Sequence, residues 1–153
     1  MKLIRADKDT LTFKLGKREK QSLVSILRLY PRIPPAHQRL SRTRGMQDQE
    51  ANERLLEEAL AEQRAENKKH LDALLADPKR LVESQSAWHL VLSPGDVEWL
   101  LQVLNDVRVG CWVTLGSPEE KLEVLSEKTA PHLLAMHMAG HFQMELLEAL
   151  GGP

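Results

Sequence analysis

Cysteine occurs once in the 153 residues, at Cys111, which excludes an internal disulfide and a cysteine-rich zinc site. Long apolar runs are missing too: no stretch approaches the roughly 18 consecutive apolar residues that a membrane-spanning helix needs. The opening Met1-Lys2-Leu3-Ile4-Arg5-Ala6-Asp7-Lys8-Asp9 is too charged for the apolar region of a signal peptide, so a cytoplasmic protein away from membranes is expected. The chain has no Gly-x-Ser-x-Gly elbow, no phosphate-cradling glycine-rich loop and no dinucleotide fingerprint. Solenoid repeats and low-complexity linkers are also lacking. What is present is an ordinary globular composition, 42% hydrophobic and 28% charged, enough for a packed core in one domain spanning 1–153.

Charge is unevenly spread. Residues 1–44 carry twelve Lys and Arg against three Asp and Glu, whereas residues 45–153 carry nine against nineteen. Two readings follow: the oppositely charged parts attract each other within one fold, or the basic part faces an acidic partner such as nucleic acid. A strongly acidic helix follows the basic segment directly, which favours the first.

Along the chain, residues 2–5 and 10–14 form a small β-hairpin within 2–14, Leu11 and Phe13 alternating with Thr12 and Lys14. Leu23, Ile26, Leu27 and Tyr30 then take helical spacing, and Pro31 with Pro34-Pro35 ends that helix. Residues 31–46 are a basic Pro/Arg-rich loop carrying Arg32, Arg39, Arg42 and Arg44 and no acid. A long helix follows over about 47–76. Its apolar stripe of Leu56, Leu60, Leu71, Leu74 and Leu75 is interrupted by Gln63, Asn67 and Lys68-Lys69-His70, so part of it is solvated or lies at an interface. Leu81-Val82 and Trp88–Leu92 read as short extended elements. Ser93-Pro94-Gly95-Asp96 has the grammar of a helix start and opens a central buried helix, 97–115, closed by Gly116. Ser117-Pro118-Glu119-Glu120 repeats that grammar for a helix to Lys128, and a last helix runs from Pro131 to Leu150. The expected architecture is therefore mainly α: a single domain of about five helices, its helical core at 47–150, with a small N-terminal β-hairpin.

Within the central helix, Leu104-Asn105-Asp106-Val107-Arg108 followed by Leu115-Gly116 is similar to the Leu-Asn-Asp-Leu-Arg … Leu-Gly stretch of the uncharacterised DUF2017 family. The opening hairpin with Leu15-x-x-x-Glu19-x-x-x-Leu23 resembles that family's N-terminus, and Phe142-Gln143 … Leu146–Leu150 resembles its closing helix. Trp112 and Met136–His141 depart from its pattern. The resemblance implies a helical cytoplasmic protein, often encoded near the adaptor of the Clp protease and sometimes labelled a transcriptional regulator. It implies no catalytic residue, ligand or partner.

Three constellations are candidate sites. Asn105, Asp106 and Arg108 sit in the apolar central helix, Arg108 on the side of Val97, Leu101 and Leu115. A guanidinium there needs a carboxylate, since breaking a buried charge pair costs about 3–5 kcal/mol. The trio is read as a buried ion pair or an anion site, with snorkelling of Arg108 to the surface as the remaining option. His137 and His141, at i and i+4 with Glu145 on the same face, have metal-ligand spacing, but His-Glu-x-x-His is absent and the same residues make an ordinary solvated stripe. No metal ligand or cofactor is assigned, and Cys111, among apolar neighbours, reads as an inert small hydrophobe. Lastly, Lys17, Arg18, Lys20, Arg28, Arg32, Arg39, Arg42 and Arg44 could follow a phosphate backbone, yet only Tyr30 interleaves them for base stacking.

These residues point to a non-enzymatic helical interaction or regulatory protein that contacts a protein partner through Arg32, Arg39, Arg42 and Arg44. Homodimerisation would hide the exposed leucines of the long helix. The alternatives are a nucleic-acid-binding, transcription-regulator-like protein using residues 17–44, and a weak metal-binding protein using His137 and His141.

Overall fold

The computed structural model describes residues 1–34, 49–117 and 126–151. Strands β1 (Lys2–Ala6) and β2 (Leu11–Leu15) lead into helix α1 (Lys17–Leu27); helix α2 (Gln49–Ala76) is followed by β3 (Leu81–Ser84) and β4 (Ala87–Leu92); helices α3 (Pro94–Thr114) and α4 (Ala130–Gly151) complete the order. No helix among the described residues is long and apolar enough to cross a membrane.

The fold is α+β, which corrects the expectation of five helices beside an isolated hairpin. The described residues hold four helices and one antiparallel four-stranded sheet of order β1-β2-β4-β3. Two hairpins join through their inner strands: Phe13 lies opposite Leu90 and Leu15 opposite Trp88, while Leu81 pairs with Leu90 on the other side. The reason is the same alternation in both hairpins. Leu11, Phe13 and Leu15 of β2 and Leu90 and Leu92 of β4 all point to the core, so neither hairpin can bury its apolar face without the other. The β3–β4 turn is Gln85-Ser86, with Gln85 in the left-handed region at φ 54°. A two-residue hairpin turn usually announces itself by glycine, asparagine or aspartate, and this one carries none. The expected helix at 117–128 falls mostly on residues outside those described.

Against the sheet lie Leu23, Ile26 and Leu27 of α1, and Val97, Leu100, Leu104 and Val107 of α3. Helix α3 starts as its sequence demands: Ser93 Oγ accepts from the Asp96 N–H at 3.1 Å and the Asp96 carboxylate accepts from the Ser93 N–H at 3.0 Å. It ends in a Schellman motif, Gly116 at φ 90°, with the Ser117 N–H donating to the Trp112 carbonyl at 3.0 Å. Helix α4 packs along α3 through Ala135, Ala139, Phe142 and Leu146, all buried. Helix α2 enters this core only through Leu71 and Leu74; from Glu50 to His70 no residue is buried.

Candidate functional site

The face that α2 turns towards the body follows a 4-3 spacing: Glu53, Glu57, Leu60, Arg64, Asn67, Leu71 and Leu74 are each half-buried or buried. The apolar end of this seam is packed. The polar end stands over a cleft of about 330 Å³ between α2 and α3, floored by Tyr30, Ile33, Leu60 and Val103 and walled by Gln63, Arg64, Asn67, Gln102, Asn105 and Asp106. That volume sits at the small end of the usual range for ligand pockets.

Asp106 organises the cleft. Its Oδ1 accepts from the backbone N–H of Arg32 at 2.6 Å and of Ile33 at 3.2 Å. Its Oδ2 lies 3.9 Å from Arg64 Nη2, and the same guanidinium nitrogen donates to the Ile33 carbonyl. One carboxylate of α3 thus fixes the chain as it leaves α1 and ties it to α2. The main chain at Arg32 runs so close to α3 that a Cβ at position 110 would overlap the Arg32 carbonyl carbon, which explains the glycine there. The Arg32 side chain turns inward: Nη2 is 3.1 Å from His132 Nδ1, and Nε is buried with no hydrogen-bond partner. Burial pushes the Cys111 thiol up, the neighbouring Arg32 guanidinium working in the opposite direction. A raised pKa and 1% exposure keep Cys111 an unreactive thiol.

A second polar chain runs from the cleft to the start of α3. Asn67 donates to the Tyr30 hydroxyl at 3.0 Å and accepts from Trp99 Nε1 at 3.2 Å. The Trp99 ring stacks on His70, centroids 4.1 Å apart, and His70 Nε2 lies 3.6 Å from Asp96, which also pairs with Arg80. Burial alone would raise the Asp96 pKa; hydrogen bonds from Ser93 and the positive charges of Arg80 and His70 outweigh it and hold the carboxyl below its usual value.

The residues singled out in the sequence are dispersed. Of the trio in α3, Asp106 enters the clamp, while Arg108 is exposed and donates to Asn105 of its own helix at 3.1 Å. Arg32 reaches into the interior beside His132, and Arg39, Arg42 and Arg44 lie outside the described residues. His137 is exposed and His141 faces Glu145 at 3.8 Å; among the described residues no three His, Cys, Asp or Glu gather as a metal site. Tyr30 is buried, so its ring is not offered to a base, and Trp88 is covered by Lys20, whose Nζ sits 4.2 Å from the ring centroid. Sequence reasoning missed Arg64, and it read Asn67 only as a break in the α2 stripe and Asp96 only as part of a helix start. Arg64 and Asn67 carried a usable signal, polar residues between Leu60 and Leu71 at the 4-3 spacing of the seam.

Chemically, the described lining of the cleft has no Ser, Thr, Cys, His or Lys, and its one acid and one guanidinium face each other. What it offers is carboxamide: Gln63 and Asn67 on one wall, Gln102 and Asn105 on the other, each both donor and acceptor. Asn67 already bonds Tyr30 and Trp99, and Asn105 accepts from Arg108, which leaves Gln63 and Gln102 with no side-chain partner among the described residues. No family model, curated protein or solved structure matches this chain.

Proposed function

We propose that the protein is an interaction or regulatory protein that meets a protein partner along α2 and the basic segment that precedes it in the sequence. One observation carries this reading: α2 is 28 residues long, about 42 Å at 1.5 Å per residue, yet only its last turns enter the core. From Glu50 to His70 no residue of α2 is buried, so its outward face presents a long surface to a second molecule. The cleft between that helix and α3 offers the carboxamides of Gln63 and Gln102, and the Asp106 clamp fixes where the Arg-rich segment departs. The resemblance at Asn105-Asp106-x-Arg108 to a family sometimes labelled regulatory agrees with this reading.

Affinity capture from extract tests it, with and without nuclease, comparing wild type with Leu55→Glu on α2 and with Arg39, Arg42 and Arg44 all changed to Ala. Leu55 is 64% exposed, so its substitution leaves the fold intact. The expected result is a defined protein partner that survives nuclease and is lost in both variants. Recovery of nucleic acid alone, abolished by nuclease, would overturn the reading in favour of phosphate binding through residues 17–44.

A further inference from the structure

Helix α4 is apolar on two sides. Its inner side is filled by Ala135, Ala139, Phe142 and Leu146, while Leu134, Met144, Leu147 and Leu150 are 62%, 57%, 56% and 40% exposed. A helix that is hydrophobic all round is normally covered all round, and large apolar side chains clustered on one exposed face mark an association surface. The pattern of the outer side indicates what covers it. Leu133, His137, Gly140, Met144, Leu147 and Gly151 follow one another at 4-3-4-3-4 spacing, the seam of a paired helix.

That seam is complementary to itself when reversed. With two copies of α4 antiparallel about a two-fold axis beside residue 142, Met144 of one copy falls over Gly140 of the other, and Leu147 falls against His137. Gly140 has the room: a Cβ built there meets nothing within 4 Å. Leu133 likewise meets the small Gly151. Beside the seam the face carries His137 and His141 in its first half and Glu145 and Glu148 in its second, so reversal brings the histidines of one copy within a turn of the carboxylates of the other. Each contact occurs twice, as an isologous interface requires. We infer that α4 is a homodimerisation surface, two copies packing antiparallel through Gly140, Met144 and Leu147. This inference does not rest on the reading of α2, whose exposed leucines lie on a different helix.

Sedimentation equilibrium from about 1 μM to about 1 mM, the span of micromolar to millimolar affinities, tests it. The mass of the wild type is expected to rise from 17.4 kDa towards twice that value. Met144→Glu combined with Leu147→Glu is expected to stay at the monomer mass throughout, with wild-type far-UV circular dichroism. Leu55→Glu on α2 dimerises as the wild type does. A monomeric wild type over the whole range would overturn the proposal, as would doubling that persists in the Met144/Leu147 variant. Single-cysteine substitutions fix the register: a mixture of Gly140→Cys and Met144→Cys proteins cross-links 140 to 144 faster than either protein cross-links to itself. Faster self-pairing, 140 to 140 and 144 to 144, would refute the antiparallel arrangement. The native Cys111, buried in the core, does not compete.

Discussion

Helices α2 and α4 are comparable in length, 28 and 22 residues, and are held in opposite ways. Helix α2 is built from Glu, Ala, Leu, Lys and Gln, the strongest intrinsic helix formers, with supporting pairs such as Lys68 and Asp72 at 3.8 Å. It buries only Leu71 and Leu74 in the core and is otherwise tied to the body by polar contacts, Arg64 to Asp106 and the Ile33 carbonyl, Asn67 to Tyr30 and Trp99. Helix α4 contains Pro131, Gly140, three histidines and Phe142, a poor composition for a free helix, and exists because its inner face packs on α3 and α1. Propensity and burial are thus separate routes to a helix, and the two need not serve the same purpose. Of the two, the helix with the stronger intrinsic propensity is the one that contributes fewer buried residues to the core.

The sharpest way to break this contrast is to truncate one residue on each helix. Phe142→Ala removes a fully buried ring from α4 and is expected to cost about 3–5 kcal/mol in denaturant unfolding. Leu55→Ala on α2 is expected to stay within about 0.5 kcal/mol of wild type. Similar costs at the two positions would mean that α2 is as much a part of the core as α4.

A smaller effect is expected at the clamp. Asp106→Ala leaves the N–H groups of Arg32 and Ile33 without their acceptor and Arg64 without its carboxylate, a loss of about 1.5–3 kcal/mol. Asp106→Asn, keeping one acceptor oxygen, restores part of it. Arg108→Ala, two positions along the same helix but exposed, changes stability by less than about 0.5 kcal/mol. Amide hydrogen exchange at Arg32 and Ile33 is the direct readout: protection there must fall in Asp106→Ala. Unchanged protection would show that the chain leaving α1 is fixed by something other than this carboxylate. Gly110→Ala probes the same contact from its other side. With the Arg32 backbone in the way of a Cβ, overpacking of about 1–3 kcal/mol is expected.

These residues also show what the sequence made legible. The bounds of α3 were readable because Ser93, Pro94, Asp96 and Gly116 are each chosen for a backbone conformation or an orphan hydrogen bond, a purely local matter. The first hairpin and the break in the α2 stripe were readable for the same reason, since period and composition are local. The sheet was not. Pairing β2 with β4 joins residues more than seventy positions apart, and the second hairpin turns through Gln85-Ser86, which lack the usual turn chemistry. Charge was read on the right helix but from the wrong neighbour. Arg108 looked buried on a helical wheel centred on α3 alone, whereas Asp106 finds its partners on α2 and on the chain after α1, which no wheel of α3 contains. Tertiary partners of polar side chains are set by topology, and topology was the part missing.

The smallest expected effect concerns where the anchored part of α2 begins. Asp96 caps α3 and at the same time faces His70 and Arg80, at the end of α2 and just beyond it, so its ionisation ties that end to the core. Its pKa in the folded protein lies below the ordinary aspartate value. A carboxyl depressed on folding adds stability above its unfolded pKa, and that contribution disappears as pH falls through the folded value. Wild type should therefore exceed Asp96→Asn by about 1 kcal/mol near neutral pH, the worth of a helix cap, with the gap unchanged down to about pH 5 and closing below about pH 4. Thermal melts of the two proteins between about pH 2 and 7 measure this gap directly. Hydrogen exchange at Leu71 and Leu74 locates it: faster exchange there in Asp96→Asn, with residues 50–63 unaltered, would show that this carboxylate ties down the last turns of α2 and not the whole helix. A gap independent of pH would mean that the Ser93–Asp96 hydrogen bonds act without the charge.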